Sequence, residues 1–419
     1  MAEDATARVT RLGDEGDGLL ESPAAGTSGL PAVVPGAVPG DRVRRLPDGA
    51  LAIEPTSQSQ RRLEPLCPHF PACGGCTAQH MADDLYAGWK AGRLTAALRR
   101  QGLEPDEAAL RPMVRVPLGT RRRAVLTARG GGGDMRLGFH ERQSHALVDI
   151  VNCAVLTPAI VAALGPLADI ARVLGTGSDG CRLTVLDVGR GLDVAVETGR
   201  RKQRPPESNR LAPPAVAGRI LRLTVDREPV VVRARPELAV SGVPVVPPPG
   251  AFVQACAEAE SAMAAIAHEA IVDARAKRVA DLFSGLGTFT FALARVARVL
   301  AVDGDKALLG ALADAARHAS GLKPIETKVR DLFADPVSPL ELKGFDAVVL
   351  DPPRAGAKAQ AEALARSGVR TVVAVSCNPA TLARDLAALL GAGYRLRSLT
   401  PVDQFLYSPH LEAVAVLQR

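Results

Sequence analysis

The sequence predicts an α/β fold: a doubly wound parallel sheet in the carboxyl-terminal part, preceded by a mainly β region and a small β-barrel. Three observations predict it. From about residue 252 onward, apolar runs of strand length alternate with helical patterns. Between about 111 and 245 a region rich in Arg, Val and Gly carries strand-like alternation in the runs RRRAVLTAR, CRLTVLDV and ILRLTV. Before about residue 60, short apolar runs are separated by Gly and Pro turns.

In chain order, ARVTRLGDEGDGLL, GLPAVVPGAVPGDRVRRL and GALAIEP have the spacing of a small barrel of the oligonucleotide-binding kind. A Gly/Pro-rich disordered arm is the competing reading. Next comes Cys67-Pro-His-Phe-Pro-Ala-Cys73-Gly-Gly-Cys76, then an amphipathic helix from about Met81 to Arg100. The mainly β region ends in PVVPPPG, a linker closing at Gly250. A long helix follows from about Phe252 to Ala274, and strands and helices then alternate. These breaks define domains at 1–60, 61–245 and 246–419. No internal repeat is evident, and the low-complexity pieces, GGGG at 130–133 and PPP at 247–249, have loop length.

Lys and Arg number 51 against 45 Asp and Glu, and the cations are bunched: six arginines between Arg111 and Arg129, four cations between Arg200 and Arg204. Bunching favours a nucleic-acid partner over an acidic small molecule; solvated loops are the alternative. Aromatic residues make up only 3% of the chain, so base stacking must rest on few side chains. No leader of charged-then-apolar type is present, and the longest apolar stretch, around Ile160 to Leu174, is broken by Gly165, Pro166 and Asp169. A cytoplasmic monomer without a membrane segment is expected. Seven cysteines in such a chain read as metal or catalytic ligands, not as disulfides.

Cys67, Cys73 and Cys76, spaced C-x5-C-x2-C on a Gly/Pro-rich loop, can converge on one metal centre. Cys153 is the best candidate for the fourth ligand and Cys181 the alternative; zinc and an iron–sulfur cluster both accept four thiolates. A second chemical position is Cys377, in Ser376-Cys377-Asn378-Pro379 after the apolar run TVVAV. A thiol at the carboxyl end of a parallel strand stands where open α/β folds place their chemistry. A helix starting near Pro379 would aim its positive end at the sulfur and lower its pKa.

Around it lies a cofactor pattern. KRVADLFSGLGTFTFALA reads as strand, Gly-containing turn at Ser284–Gly287, and helix. Asp303 ends the next strand, placed to accept hydrogen bonds from ribose hydroxyls. Asp331, after IETKV, could reach an adenine amino group, and the D-P-P turn at Asp351 points a carboxylate into the site. The missing third glycine of a pyrophosphate loop favours S-adenosylmethionine over a dinucleotide.

The pieces CPHFPACGGCTAQH, GAFVQ, DLFSGLGTFT, AVDGD, LDPPRAGA, SCNPATLARD and VDQFLYSPHLEAVAVL together resemble the S-adenosylmethionine-dependent RNA uridine-5-methyltransferases. The likeness is to the iron–sulfur branch acting on large-subunit ribosomal RNA. The resemblance implies Cys377 as nucleophile and Glu412 as proton acceptor. It implies Gln254, Phe283, Thr288, Asp303, Asp331 and Asp351 at the cofactor or target-base site. For the cluster it implies Cys67, Cys73, Cys76 and Cys153 around a [4Fe–4S] centre. The implied partner is RNA, ribosomal in preference to transfer RNA. Three positions depart from the family's habit: Thr288 and Cys256 stand where asparagine is frequent, and SPHLE lacks a threonine near the histidine. Two rival readings are methylation of an exocyclic amino group and a non-catalytic iron–sulfur RNA-binding factor.

Overall fold

The computed structural model describes residues 6–21, 30–130, 132–175, 180–199 and 208–419. The cation run Arg200–Arg204 and Gly131 of the GGGG stretch lie outside the described residues. The chain divides into two compact units, one of Met1–Thr95, His140–Ala146 and Phe405–Pro409, the other of Ala96–Phe139, Leu147–Gln404 and His410–Arg419.

In the first unit, β1 (Thr6–Leu12), β2 (Gly18–Leu20), β3 (Val33–Val34), β4 (Arg42–Arg45) and β5 (Leu51–Glu54) form an antiparallel sheet in the order β3-β2-β1-β4-β5. Val9, Val34, Ala37 and Val43 fill its small core. The helix α1 (Asp83–Arg100) opens on Asp83 and Asp84 and closes on Arg99 and Arg100, complementing its dipole at both ends. Its Trp89 indole donates to the Gly13 carbonyl at 2.9 Å. Arg142 grips Asp17 through two hydrogen bonds of 2.6 Å.

The second unit contains two large sheets. After β6 (Val114–Arg115) come β7 (Arg123–Arg129), β8 (Arg136–His140), β9 (Leu147–Asp149), β10 (Cys181–Asp187), β11 (Leu192–Glu197), β12 (Ile220–Val225) and β13 (Glu228–Val232), the last seven ordered β13-β12-β11-β10-β7-β8-β9. The three strand-like runs of the sequence are β7, β10 and β12. The region is less purely β than expected. The apolar stretch around 160–174 forms α2 (Pro158–Ala162) and α3 (Leu164–Leu174). Helix α4 (Ser208–Ala217), which contains Pro213 and Pro214, connects the parallel pair β11 and β12. Ile160, Leu167, Ile170 and Leu211 of these helices share one core with Leu126, Leu183 and Val194 of the sheet. The expected linker is partly the hairpin β14 (Leu238–Val240) and β15 (Val243–Val245).

The remaining elements are α5 (Ala257–Asp273), β16 (Arg278–Leu282), α6 (Thr290–Ala294), β17 (Arg298–Asp303), α7 (Lys306–His318), β18 (Ile325–Val329), β19 (Ala347–Leu350), α8 (Lys358–Ala365), β20 (Thr371–Ser376), α9 (Pro379–Gly391), β21 (Arg395–Asp403) and β22 (Glu412–Gln418). Their sheet runs β18-β17-β16-β19-β20-β22-β21-β6. The first five strands are parallel, and β22 lies antiparallel between β20 and β21. Every residue of β19 and β20 is buried, as strands covered on both faces require. Strand order reverses between β16 and β19, and a crevice opens at such a switch point beyond the carboxyl ends. Helix α5 begins five residues later than expected, because 251–256 is needed in a non-helical form that delivers Gln254.

Candidate active site

Four chain segments meet beyond the carboxyl ends of β19 and β20. Strand β20 stops at Ser376 and α9 starts at Pro379, so Cys377 occupies the corner. Asn378 caps the helix: its Oδ1 accepts the Ala380 N–H at 3.0 Å, while its Nδ2 donates to the Arg354 carbonyl at 3.1 Å. Strand β22 pairs Ala413 with Ser376 in antiparallel register. Its first residue, Glu412, therefore comes level with Cys377 at the same edge.

Asp351 follows β19 directly, and a chain of buried amides links it to Glu412. Gln254 Nε2 donates to Asp351 Oδ2 at 2.9 Å. Gln404 Nε2 donates both to Gln254 Oε1 at 2.7 Å and to Glu412 Oε1 at 3.0 Å. Gln404 Oε1 in turn accepts the Ala255 N–H at 3.0 Å. Arg122 holds the segment from behind, its Nε donating to the Gln254 carbonyl at 3.2 Å and its guanidinium paired with buried Glu260 at 2.7 Å. Arg122 is thus a structural cation inside the arginine run that the sequence suggested for nucleic acid. At the rim, the Arg354 guanidinium lies 2.9 Å from His410 Nδ1.

The electrostatics overturn one expectation. Burial pushes the Cys377 thiol up to about 12, and the carboxylates of Glu412 and Asp351 push in the same direction against Arg354. The positive end of α9 favours a thiolate, but burial first, and then the two acids delivered from β22 and β19, hold the thiol in its neutral form. Burial, reinforced by Asp351, raises Glu412 to about 8, with the Gln404 hydrogen bond opposing. Burial likewise raises Asp351 to about 7 against the Gln254 hydrogen bond. Glu412 Oε2 is buried and has no hydrogen-bond partner among the described residues.

The glycine-containing turn joins β16 to α6 beside this edge. Gly285 N–H donates to Asp303 Oδ2 at 2.9 Å and Asp305 N–H to Asp303 Oδ1 at 2.8 Å. Asp303 therefore ties the tip of β17 to the turn, and each oxygen keeps a further lone pair for a ligand hydroxyl. Gly287 has φ +96°, and a Cβ there would stand 2.8 Å from the Phe291 ring. Phe283 holds φ +61°, an uncommon conformation for an aromatic residue, with its ring centroid 5.4 Å from that of exposed Phe333. Asp331, at the foot of the loop carrying Phe333, is exposed and accepts the Phe333 N–H at 2.9 Å. Thr288, at the end of the turn, hydrogen-bonds to Glu260, and its carbonyl accepts from Ser241 Oγ at 2.7 Å.

Beneath the turn, Asp281 is completely buried and raised to about 7 by that burial, with Thr290 Oγ1 donating to it. Asp281 Oδ1 and Ser284 Oγ have no hydrogen-bond partner among the described residues. The sequence reading passed over Asp281, Arg122, Glu260 and Gln404. Only Asp281 left a signal, an acid four residues ahead of the first glycine of the turn.

The cysteines divide between the units. Cys67, Cys73 and Cys76 are half-buried on one loop of the first unit, and Cys153 belongs to the second. Cys181, the alternative, is buried in β10. None of these cysteines is in a disulfide. Among the described residues no group of three or more His, Cys, Asp or Glu side chains is arranged to hold a metal ion. None of the described helices is long and apolar enough to cross a membrane.

Residues 326–419, which contain Asp351, Cys377 and Glu412, match the tRNA (uracil-5-)-methyltransferase family model. An uncharacterized RNA methyltransferase of Rhizobium meliloti is 45% identical, with 99% of both chains covered. The 23S rRNA (uracil(1939)-C(5))-methyltransferase of Chromohalobacter salexigens is 33% identical over 100% of this chain and 90% of that one. In fold, the chain is similar to the Pyrococcus abyssi tRNA (uracil-54, C5)-methyltransferase solved with S-adenosyl-L-homocysteine: TM-score 0.73, 22% identity, 99% of each chain covered. The corner at Cys377, the acid at the start of β22 and full-length relatedness converge on one assignment: the chain belongs to the family of S-adenosylmethionine-dependent RNA uracil-5-methyltransferases.

Proposed function

We propose that the protein methylates C5 of a uridine in RNA through a covalent bond between Cys377 and C6 of the base. The observation that carries this is the placement of Cys377 and Glu412 at one sheet edge in adjacent strands, with Asp351 joined to Glu412 through Gln254 and Gln404. The turn after β16 fits S-adenosylmethionine. Gly287 leaves no room for a side chain, Ser284 Oγ and Asp281 Oδ1 are buried polar atoms awaiting a partner, and Asp303 and Asp331 offer carboxylates to ribose and adenine. Bound there, S-adenosylmethionine supplies an electrophilic methyl group. Phe283, with Asp303 and Asp331, would hold it; Thr288 belongs to the wall behind, through Glu260.

The chain's own residues do the rest. Uridine C5 is a weak carbon nucleophile. The Cys377 thiolate adds to C6, the C5–C6 electron pair becomes an enolate, and C5 takes the methyl group. Glu412 then accepts the C5 proton, and the electron pair left behind re-forms the double bond and expels the sulfur as thiolate. Gln254 and Asp351 hold the ring, which must leave its stack to reach a buried edge. The distant rival, methylation of an exocyclic amino group, has no use for a cysteine opposite a buried acid. A non-catalytic role is set aside by membership of an enzyme family.

Ribosomal RNA is favoured over transfer RNA, because the 33%-identical relative named for 23S rRNA matches the whole chain. Labelled methyl transfer to ribosomal and transfer RNA lacking 5-methyluridine tests both parts. Label should appear in ribosomal RNA and vanish with Cys377→Ala; persistence in that variant would sink the mechanism.

We further propose a three-part organisation, with 1–60 as an RNA-binding barrel of the oligonucleotide-binding kind, 61–245 as the cluster-bearing region and 246–419 as the methyltransferase domain. Cys67, Cys73 and Cys76, with Cys153 as fourth ligand, are proposed to bind a [4Fe–4S] cluster. The support is the donor set: three thiols on one short loop, none in a disulfide. Such a cluster would have a structural or RNA-shaping role and take no part in methyl transfer. Anaerobic protein should contain about four irons and matching sulfide per chain; stoichiometric zinc without sulfide would refute the cluster.

A further inference from the structure

Gln404 has every hydrogen-bonding group of its side chain engaged close to Cys377, yet it touches no reacting atom in the scheme above. It is 2% exposed. Its Oε1 takes the Ala255 N–H, which fixes the amide orientation and turns both Nε2 hydrogens toward Gln254 Oε1 and Glu412 Oε1. Gln254 must then present its own N–H to Asp351. The backbone is pinned as well, since the Gln404 carbonyl accepts from Cys256 Sγ at 3.5 Å. One direction of donation thus runs from the Ala255 amide through Gln404 to both acids. At the far end, Glu412 has one oxygen held and the other, Oε2, buried without a hydrogen-bond partner among the described residues.

We propose that Gln404 is a positioning residue for proton abstraction: by donating to Glu412 Oε1 it presents Oε2 as the accepting oxygen, and by donating to Gln254 it locks base-holding and proton removal into one geometry. This rests on Glu412 being the base. Asp351 after β19 acts on Glu412, which in turn acts on Cys377 after β20, where Arg354 opposes it; on β21, whose Val402 pairs with Glu412, the next residue is buried Asp403. Gln404 is the neutral donor among them, and its hydrogen bond is what favours the ionised form of Glu412 against burial and Asp351.

The test is single-turnover methylation of an RNA fragment, quenched to separate protein-bound methylated RNA from released product, between pH 6.5 and 9.5. Gln404→Met keeps the side-chain length and removes both donors. Release should slow roughly 10- to 100-fold at neutral pH, the scale for losing a hydrogen bond to a charged group. Methylated RNA should accumulate on Cys377, and the rate should recover toward pH 9.5. Gln404→Glu, matched in shape, should stall at least as strongly. Both variants should still trap RNA containing 5-fluorouridine, since that adduct forms before Glu412 acts; this also shows that they fold. Normal release by Gln404→Met, equal slowing at every pH without accumulated adduct, or failure to trap 5-fluorouridine RNA would each overturn the proposal. Glu412→Gln run alongside separates the two readings. If it stalls at all pH values while Gln404→Met releases product at the normal rate even at neutral pH, only the role of Gln404 falls; if it releases product normally, Glu412 is not the base and both fall.

Discussion

Replacing Glu412 with glutamine should make the folded protein more stable, by an amount that grows with pH. In the folded state burial and Asp351 raise this carboxyl from 4.5 to about 8. Below about pH 4.5 folded and unfolded chains both carry the proton, so its contribution is fully present. As pH rises further the unfolded chain ionises while the folded one does not, and wild-type stability falls by about 1.4 kcal/mol per pH unit. The loss is complete once pH passes about 8. An amide of the same shape has no such proton, so the variant should match wild type near pH 4.5 and exceed it above pH 8 by on the order of 3–5 kcal/mol. Gln404 would still have an oxygen to donate to. Urea unfolding followed by circular dichroism at pH 5, 7 and 8.5 reads the difference. A gap that does not change with pH, or a variant less stable than wild type at pH 8.5, would refute the reasoning. The gain in stability would accompany the loss of turnover, the exchange expected of a strained site.

Arg122→Met should destabilise by about 3–5 kcal/mol, because it strands Glu260 as a buried unpaired acid. Urea unfolding should show a smaller effect at pH 5, where the acid takes up a proton, while Arg122→Met/Glu260→Met should recover stability without recovering methyl transfer, since Gln254 stays unsupported. Gly287→Ala forces a methyl group into the Phe291 ring and a backbone at φ +96°; calorimetry should show S-adenosylmethionine binding weakened at least about tenfold, by strain of about 1–3 kcal/mol. With the Cys377 thiol pushed up to about 12, kcat/KM should climb with pH through the neutral range, about tenfold per unit where this ionisation limits; a profile flat from pH 6 to 9 would show that the thiol is not the controlling group.

What the sequence made legible was local. Pro379 and Asn378 announce the start of α9 because a proline at the first turn and an amide cap act over two or three residues. The alternation of short apolar runs announces the parallel sheet, and the start of EAVAVL places Glu412 at its edge. The shift of the Cys377 thiol was not legible, since burial causes it first and Glu412 and Asp351 add to it, and all three arise only when β19, β20 and β22 pair. Arg122 was misread for the same reason: nothing in RRRAVL distinguishes the arginine that meets Glu260 138 positions away from its half-buried neighbours Arg121 and Arg123. Helix α4 was missed because Pro213 and Pro214 inside it speak against a helix, whereas Leu211 and Ala215 are recruited into the core of the seven-stranded sheet.

The interleaving of β22 between β20 and β21 also bears on the order of assembly. Strands β16 to β20 can pair among themselves and form the cofactor turn with Asp303 before β22 arrives. Strand β21 has no neighbour in that partial sheet, because the edge it would need belongs to β22. A single insertion then closes the sheet, sets Glu412 beside Cys377 and brings in Gln404 at the same moment. An incompletely folded chain of this design could hold a methyl donor, but it would lack the acid that frees a base from Cys377, and RNA caught at that stage would stay attached.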